Sequence, residues 1–168
     1  MNRNNLTLSI TRIILILLII LNIFTIFRFS SQSSTKSGQT SSQITDIVAE
    51  AVVEDYKEKE EEEKELIRKR FDLGVRKTAH FIEYGTLGAL IFLLLLTWKW
   101  HLMIQYATSL AAVLLIAIVD EMLFQRLADG RAALWQDVWI DLFGAAIFAT
   151  LILLSVLIIR LIKKRRSA

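Results

Sequence analysis

The chain has no cysteine and no proline, and only two histidines, among its 168 residues. Without cysteine it forms no disulfide, presents no thiol nucleophile and offers no thiolate to a metal. His80 and His101 fall at opposite ends of an apolar run. At most one imidazole is therefore available to any one site, whereas zinc sites usually gather several His or Cys ligands. Surplus charge is also scarce, a net +3. No basic face interleaved with aromatics exists outside the apolar runs, which excludes a nucleic-acid partner. Polar residues inside the runs are few: Asn22, Gln105 and Ser109 cannot line a transport path, and there is neither internal repetition nor a broken-helix signal.

What is abundant is apolar. Hydrophobic residues make up 54% of the chain and mean hydropathy is positive, a composition of membrane proteins rather than soluble domains. Four runs, 10–29, 78–98, 102–124 and 138–162, each approach the ~20 residues that a helix needs to cross a bilayer. The expected fold is an all-α membrane protein, one domain over 1–168. It has four transmembrane helices and one amphipathic, charged extramembrane helical segment, 30–77, between the first two. The first run lacks an Ala-x-Ala-like cleavage site and reads as a retained anchor. Trp98 and Trp100, and Trp135 and Trp139, mark interface levels where amphipathic rings are favoured, and His101 reads as a boundary residue.

Residues 30–77 change character along their length. "SSQSSTKSGQTSSQ" has little to bury and reads as a flexible exit strand. Ser42 is then placed to cap a helix with Ile44, Ile47, Val48, Ala51 and Val52 on one face, and a second apolar group, Leu66, Ile67 and Phe71, follows a charged run. That run offers the i,i+4 pairs Glu60 with Lys64 and Glu65 with Lys69. The segment reads either as a solvated helix whose ends touch the membrane or the bundle, or as a lid or partner-docking arm over the membrane face.

The positive-inside rule alone does not orient the chain. The termini and the "WKWH" connection carry Arg3, Arg12, Lys99, Arg160, Lys163, Lys164, Arg165 and Arg166, against nine Lys and Arg in 30–77. Eleven acidic residues share 30–77, so the uncompensated basic density is the tail "RLIKKRRSA", which suits anionic lipid headgroups. Both termini are accordingly expected in the cytoplasm.

Antiparallel threading brings the start of the second run, the end of the third and the start of the fourth to one face, where the polar residues lie. In "RKTAHFIEYG", Arg76, His80, Glu83 and Tyr84 share a helical face at spacings of three and four. "VDEMLFQRLADGR" supplies Asp120, Glu121, Gln125 and, in the following loop, Arg131. "QDVWIDLFGA" supplies Asp137 and Asp141, one turn apart. These ten residues are expected to line one polar pocket, and Gly85, Gly88, Gly144 and Ala145 would let the helices approach closely beneath it.

Together with "FSSQSS" after the first run, these motifs resemble the VanZ family of small bacterial membrane proteins, in order from about Phe29 to Ala145. On that resemblance the family's polar positions fall on His80, Glu83, Tyr84, Asp120, Glu121, Gln125, Arg131, Asp137 and Asp141. Two departures stand out: Gln125 follows the Asp-Glu pair one residue later than the family's spacing, and Asp129 precedes Gly130 and Arg131 where proline is common. The resemblance implies an association with resistance to glycopeptide antibiotics such as teicoplanin, without a settled chemistry or cofactor. Three readings stay open. The pocket binds a membrane lipid headgroup or a cell-wall precursor, with Arg131 on phosphate and the carboxylates on sugar or amine groups. Alternatively His80 with Asp120, Glu121, Asp137 or Asp141 holds a divalent cation for a metal-assisted intramembrane hydrolase or transferase. In the third reading the cluster is an ion-pair network that fastens the helices.

The expected topology is checked by single cysteines in this cysteine-free chain. Ser34→Cys is expected to react with an impermeant thiol reagent on intact cells and Ser167→Cys only after permeabilisation. Labelling of both, or the reverse, contradicts the orientation.

Overall fold

The computed structural model describes residues 3–130 and 134–167. The described residues are all helix, turn or loop: α1 (Arg3–Ser30), α2 (Ser34–Val52), α3 (Glu61–Leu95), α4 (Leu102–Val119) and α5 (Trp135–Arg166). Four of them, α1, α3, α4 extended by the turn after it, and α5, are long and apolar enough to cross a membrane. The second expected span is thus the lower part of a 35-residue helix that begins outside it, and the third ends in a π-helical turn, Asp120–Gln125.

The helices pack through small residues. A Cβ added at Gly144 of α5 would lie 2.3 Å from the carbonyl oxygen of Phe81 on α3, and one at Gly88 would lie 2.8 Å from the Ala145 Cβ. Two backbones can come this close only where there is no side chain, as expected from the sequence. Around this seam Tyr84, Leu87, Val113, Ala117, Val138 and Ala145 form the core with Ile26 of α1. α1 is tied at both ends. Arg12 donates to Thr97 Oγ1 and to the Thr97 carbonyl, both at 2.9 Å, and stacks over Trp98 at 4.3 Å. At the other end Phe27 stacks on Phe124 with ring centroids 4.3 Å apart.

Residues 30–77 depart from expectation in three ways. The Ser/Thr tract is helix rather than a flexible strand: α2 starts at Ser34, capped by Ser33, whose hydroxyl accepts from Lys36 N at 3.3 Å. Ser41 and Thr45 return hydrogen bonds to carbonyls four residues back, at 3.0 Å each, and with Ser37 and Ala49 form the buried stripe facing α3. Packing of this small-residue stripe overrides the weak intrinsic propensity of serine and threonine. The segment is also a hairpin rather than a single helix. It breaks after Val52, passes through Asp55 at φ 55 and a 3-10 turn, Tyr56–Glu58, and resumes at Glu61. Arg68 and Tyr56 both donate to Asp46 Oδ1 at 2.6 Å and clamp the two arms. These bonds, from the Arg68 guanidinium first and the Tyr56 hydroxyl second, hold the Asp46 carboxyl below its usual range. Finally, Glu65 pairs with Lys69 at 2.9 Å as expected, but Glu60 is the N-cap of α3 and Lys64 pairs with Glu61 instead, at 3.1 Å.

The seam between α3 and α5 gives the first structural test. Gly144→Ala is expected to cost roughly 1–3 kcal/mol through overpacking against a backbone carbonyl that cannot rotate away. Gly74→Ala, where an added Cβ meets nothing within 4 Å, should gain up to about 1 kcal/mol of helix propensity. Thermal unfolding in one detergent compares them, and equal melting of Gly144→Ala and wild type contradicts the packing described.

Candidate functional site

The polar end of the bundle is built from three helix segments and the last turn of α1. The π-helical turn closes with the Arg126 N–H bonded to the Glu121 carbonyl, five residues back. It takes up one residue more than an α-turn would, the usual form of a π-bulge. Asp120, Glu121 and Gln125 are all buried as a result. α3 brings Arg76, Lys77, His80, Glu83 and Tyr84, and α5 brings Asp137 and Asp141.

The carboxylates differ in how their lone pairs are spent. Glu121 is satisfied: the Leu134 N–H donates to Oε1 at 2.5 Å and the Gln125 amide donates to Oε2. Leu134 is the N-cap of α5, so Glu121 holds the start of that helix and fastens the fold. Asp120 is partly satisfied, with Oδ2 accepting from Ser30 Oγ at 2.7 Å and from Gln125 Nε2 at 3.3 Å. Its Oδ1 is buried without a hydrogen-bond donor. Asp141 is the most open chemically. It is 0% exposed, and neither carboxylate oxygen has a donor at bonding geometry among the described residues; the His80 imidazole stands beside it, with Nδ1 3.5 Å from Oδ1. Tyr84, stacked on His80 with centroids 6.2 Å apart, also has a buried hydroxyl without a partner. Buried polar groups are normally hydrogen-bonded, and an ionised carboxylate within a span costs ~2.5–3.5 kcal/mol even on insertion scales. Several buried donors and acceptors at this end of the bundle thus have no hydrogen-bond partner among the described residues.

Above them lie two clefts that share a wall. One, about 260 Å³, is bounded by Ser34, Arg76, Lys77, His80, Gln125 and Asp137. The other, about 220 Å³, runs between α2 and α3 past Ser41, Ile44, Val75, Arg76, His80 and Glu83. Arg76 and His80 stand between the two. Arg76 pairs with Asp72, which also accepts from Ser41, while its Nε stays without an acceptor. Lys77 pairs with Asp137 at 3.5 Å. α2 roofs both clefts, because its first N–H, Ser34, is bonded to the Asp129 carbonyl at 3.0 Å. Gly130 beside it has φ +72, a conformation that a side chain would strain.

Of the expected pocket residues, Arg76, His80, Tyr84, Asp120, Glu121, Gln125, Asp137 and Asp141 gather here. Glu83 opens to the second cleft, on the far side of His80. Arg131 lies outside the described residues. Lys77, Ser30 and Asp72 were not anticipated. Lys77 stands next to Arg76 in the sequence and carries a visible signal, whereas Ser30 reaches Asp120 only because Phe27 stacks on Phe124. Among the described residues no three His, Asp or Glu side chains gather closely enough to hold a metal ion; His80, Asp120, Glu121 and Asp141 form an acid-rich cluster with a single imidazole.

No curated protein and no solved structure matches the chain. The family model described as VanZ/LLP1 matches residues 13–159, taking in all of α2 to α4, the π-helical turn and every polar position above. The chain belongs to the VanZ/LLP1 family.

Proposed function

We propose that the polar end of the bundle binds the head group of an envelope lipid or lipid-linked cell-wall precursor at the outer face of the membrane, with both termini cytoplasmic. The observation that carries this reading is a set of buried acceptors, Asp120 Oδ1 and both oxygens of Asp141, that meet no hydrogen-bond donor at bonding geometry among the described residues, the His80 Nδ1 standing off at 3.5 Å. A network that only fastens helices spends its lone pairs on its own donors, as Glu121 does, because an unsatisfied buried group costs about 1–3 kcal/mol. Hydroxyl or amine groups of a ligand are the complementary donors. Arg76 and Lys77 in the cleft wall, with Arg131, next after Gly130 in the sequence, are the chemistry for its phosphate. A protein that holds such a precursor would alter access of glycopeptides to it, in line with the resistance role that the family resemblance implies.

One observation favours a second, catalytic reading. His80 presents Nδ1 to Asp141 while its ring lines both clefts, the arrangement by which a carboxylate orients an imidazole as general base. A hydrolytic or group-transfer step on the bound lipid would use that pair.

Native mass spectrometry of protein extracted from bacterial membranes tests the head-group reading. Wild type is expected to retain a phosphate-bearing lipid, and Asp141→Asn or Arg76→Gln to retain at least about tenfold less, the worth of one charge-assisted hydrogen bond. The same variants should lose any glycopeptide resistance that wild type confers on the expressing cells. Equal lipid retention by all three proteins contradicts the reading.

A further inference from the structure

α2 is turned the opposite way from a helix of a soluble hairpin. Its buried stripe is Ser37, Ser41, Thr45 and Ala49, while Ile44 and Ile47 are 55% and 67% exposed. An amphipathic helix that turns isoleucines outward at the level where α3 enters the membrane is suited to lie against lipid. The same apolar side walls a groove of about 440 Å³ between α2 and α3, lined chiefly by Ile44, Val48, Phe71, Val75, Ala79 and Ile82. Its lower end is at Ile82, half exposed within the span. The groove shares Ile44, Val75 and Ala79 with the cleft that reaches Arg76 and His80. A continuous surface thus leads from the hydrocarbon, through an apolar channel, to the polar site.

We infer that this groove seats one acyl chain of a phosphate-bearing membrane lipid, whose head lies against Arg76 and His80 and whose chain descends past Ala79 and Ile82 into the bilayer. The inference rests on the head-group reading and adds the class of ligand: an amphiphile held by its tail as well as its head, entering sideways from the membrane. Charge at the upper end fits this occupant better than a second copy of the chain or a partner helix. Arg70 borders the groove, and Arg76 and Lys77 follow within two turns. Arg70 is exposed and Arg76 and Lys77 share their charge with Asp72 and Asp137; basic residues beside a membrane attract anionic headgroups. Gly74 lines the groove, and an added Cβ there would meet nothing within 4 Å.

The test reconstitutes the full chain in phosphatidylglycerol vesicles containing a trace of phosphatidylglycerol with a diazirine in its acyl chain, and maps photo-adducts by peptide mass spectrometry. Adducts are expected on Thr78, Ala79 and Ile82, below the head, in excess over those on Leu17 and Leu21 of α1, which are also exposed but line neither the groove nor the clefts. Gly74→Leu, and separately Ala79→Leu, should lower the groove adducts about tenfold, the loss of roughly two buried methylenes, with melting temperature not lowered and α1 adducts unchanged. Adducts no denser in the groove than on α1 would show annular lipid only and overturn the inference. So would groove adducts unaffected by both leucines, or photo-crosslinks between copies of the chain through Ile44 and Val75. Asp141→Asn separates the two levels. Groove adducts that fall in Asp141→Asn yet persist in Gly74→Leu and Ala79→Leu keep the head-group reading and overturn the groove. Adducts that fall with the leucines but not with Asp141→Asn keep the groove and remove the head-group reading.

Discussion

The polar end of this bundle is positioned from one contact, the backbone of α5 at Gly144 pressed against the carbonyl of Phe81 on α3. Asp141 lies about one turn before Gly144, and His80 adjoins Phe81. The approach that only a glycine permits therefore sets Asp141 opposite His80 at 3.5 Å. Gly88 against Ala145, one turn further in, keeps the two helices parallel to that alignment. In a membrane no hydrophobic effect separates helix from lipid, so close backbone packing of this kind is what holds a bundle together. Here it also fixes the geometry of the only imidazole at that end.

Around that contact, stability and function are divided among similar groups. Glu121, fully bonded, ties the π-helical turn to the N-terminus of α5. Ser30 and Gln125 satisfy one oxygen of Asp120 and leave the other open. Asp141 has the His80 imidazole beside it at 3.5 Å and no donor at bonding geometry among the described residues. The division depends on the π-helical turn. Within that turn the Gln125 amide reaches both carboxylates of the Asp-Glu pair.

The four spans and the face on which the polar residues meet were legible in the sequence, because hydropathy over about twenty residues and antiparallel threading of short connections need no tertiary information. The close approach at Gly88, Gly144 and Ala145 was legible for the same reason, small residues on a spanning face. The hairpin of α2 and α3 was not. Serine and threonine in "SSQSSTKSGQTSSQ" favour loops intrinsically, and only the presence of α3 alongside makes their small side chains a packing stripe. Nor could spacing show that Glu121 is satisfied while Asp141 is open, since that turns on a loop N–H, Leu134, thirteen residues away. Glu83 shared the helical face of His80 as read, and both border the cleft between α2 and α3.

A cluster that leaves acceptors open at the cost of stability behaves differently from a fastener when its charge is removed, because sites shaped for ligands are commonly less stable than their neutralised variants. The decisive measurement is the melting temperature of lipid-depleted protein in detergent for Asp120→Asn, Asp141→Asn and Glu121→Gln. If Asp141 and Asp120 serve a ligand, their carboxamides melt at or above wild type while Glu121→Gln melts below it. A loss of about 3–5 kcal/mol in Asp141→Asn, as expected for breaking a buried ion pair, would show instead that the cluster exists to hold the helices together.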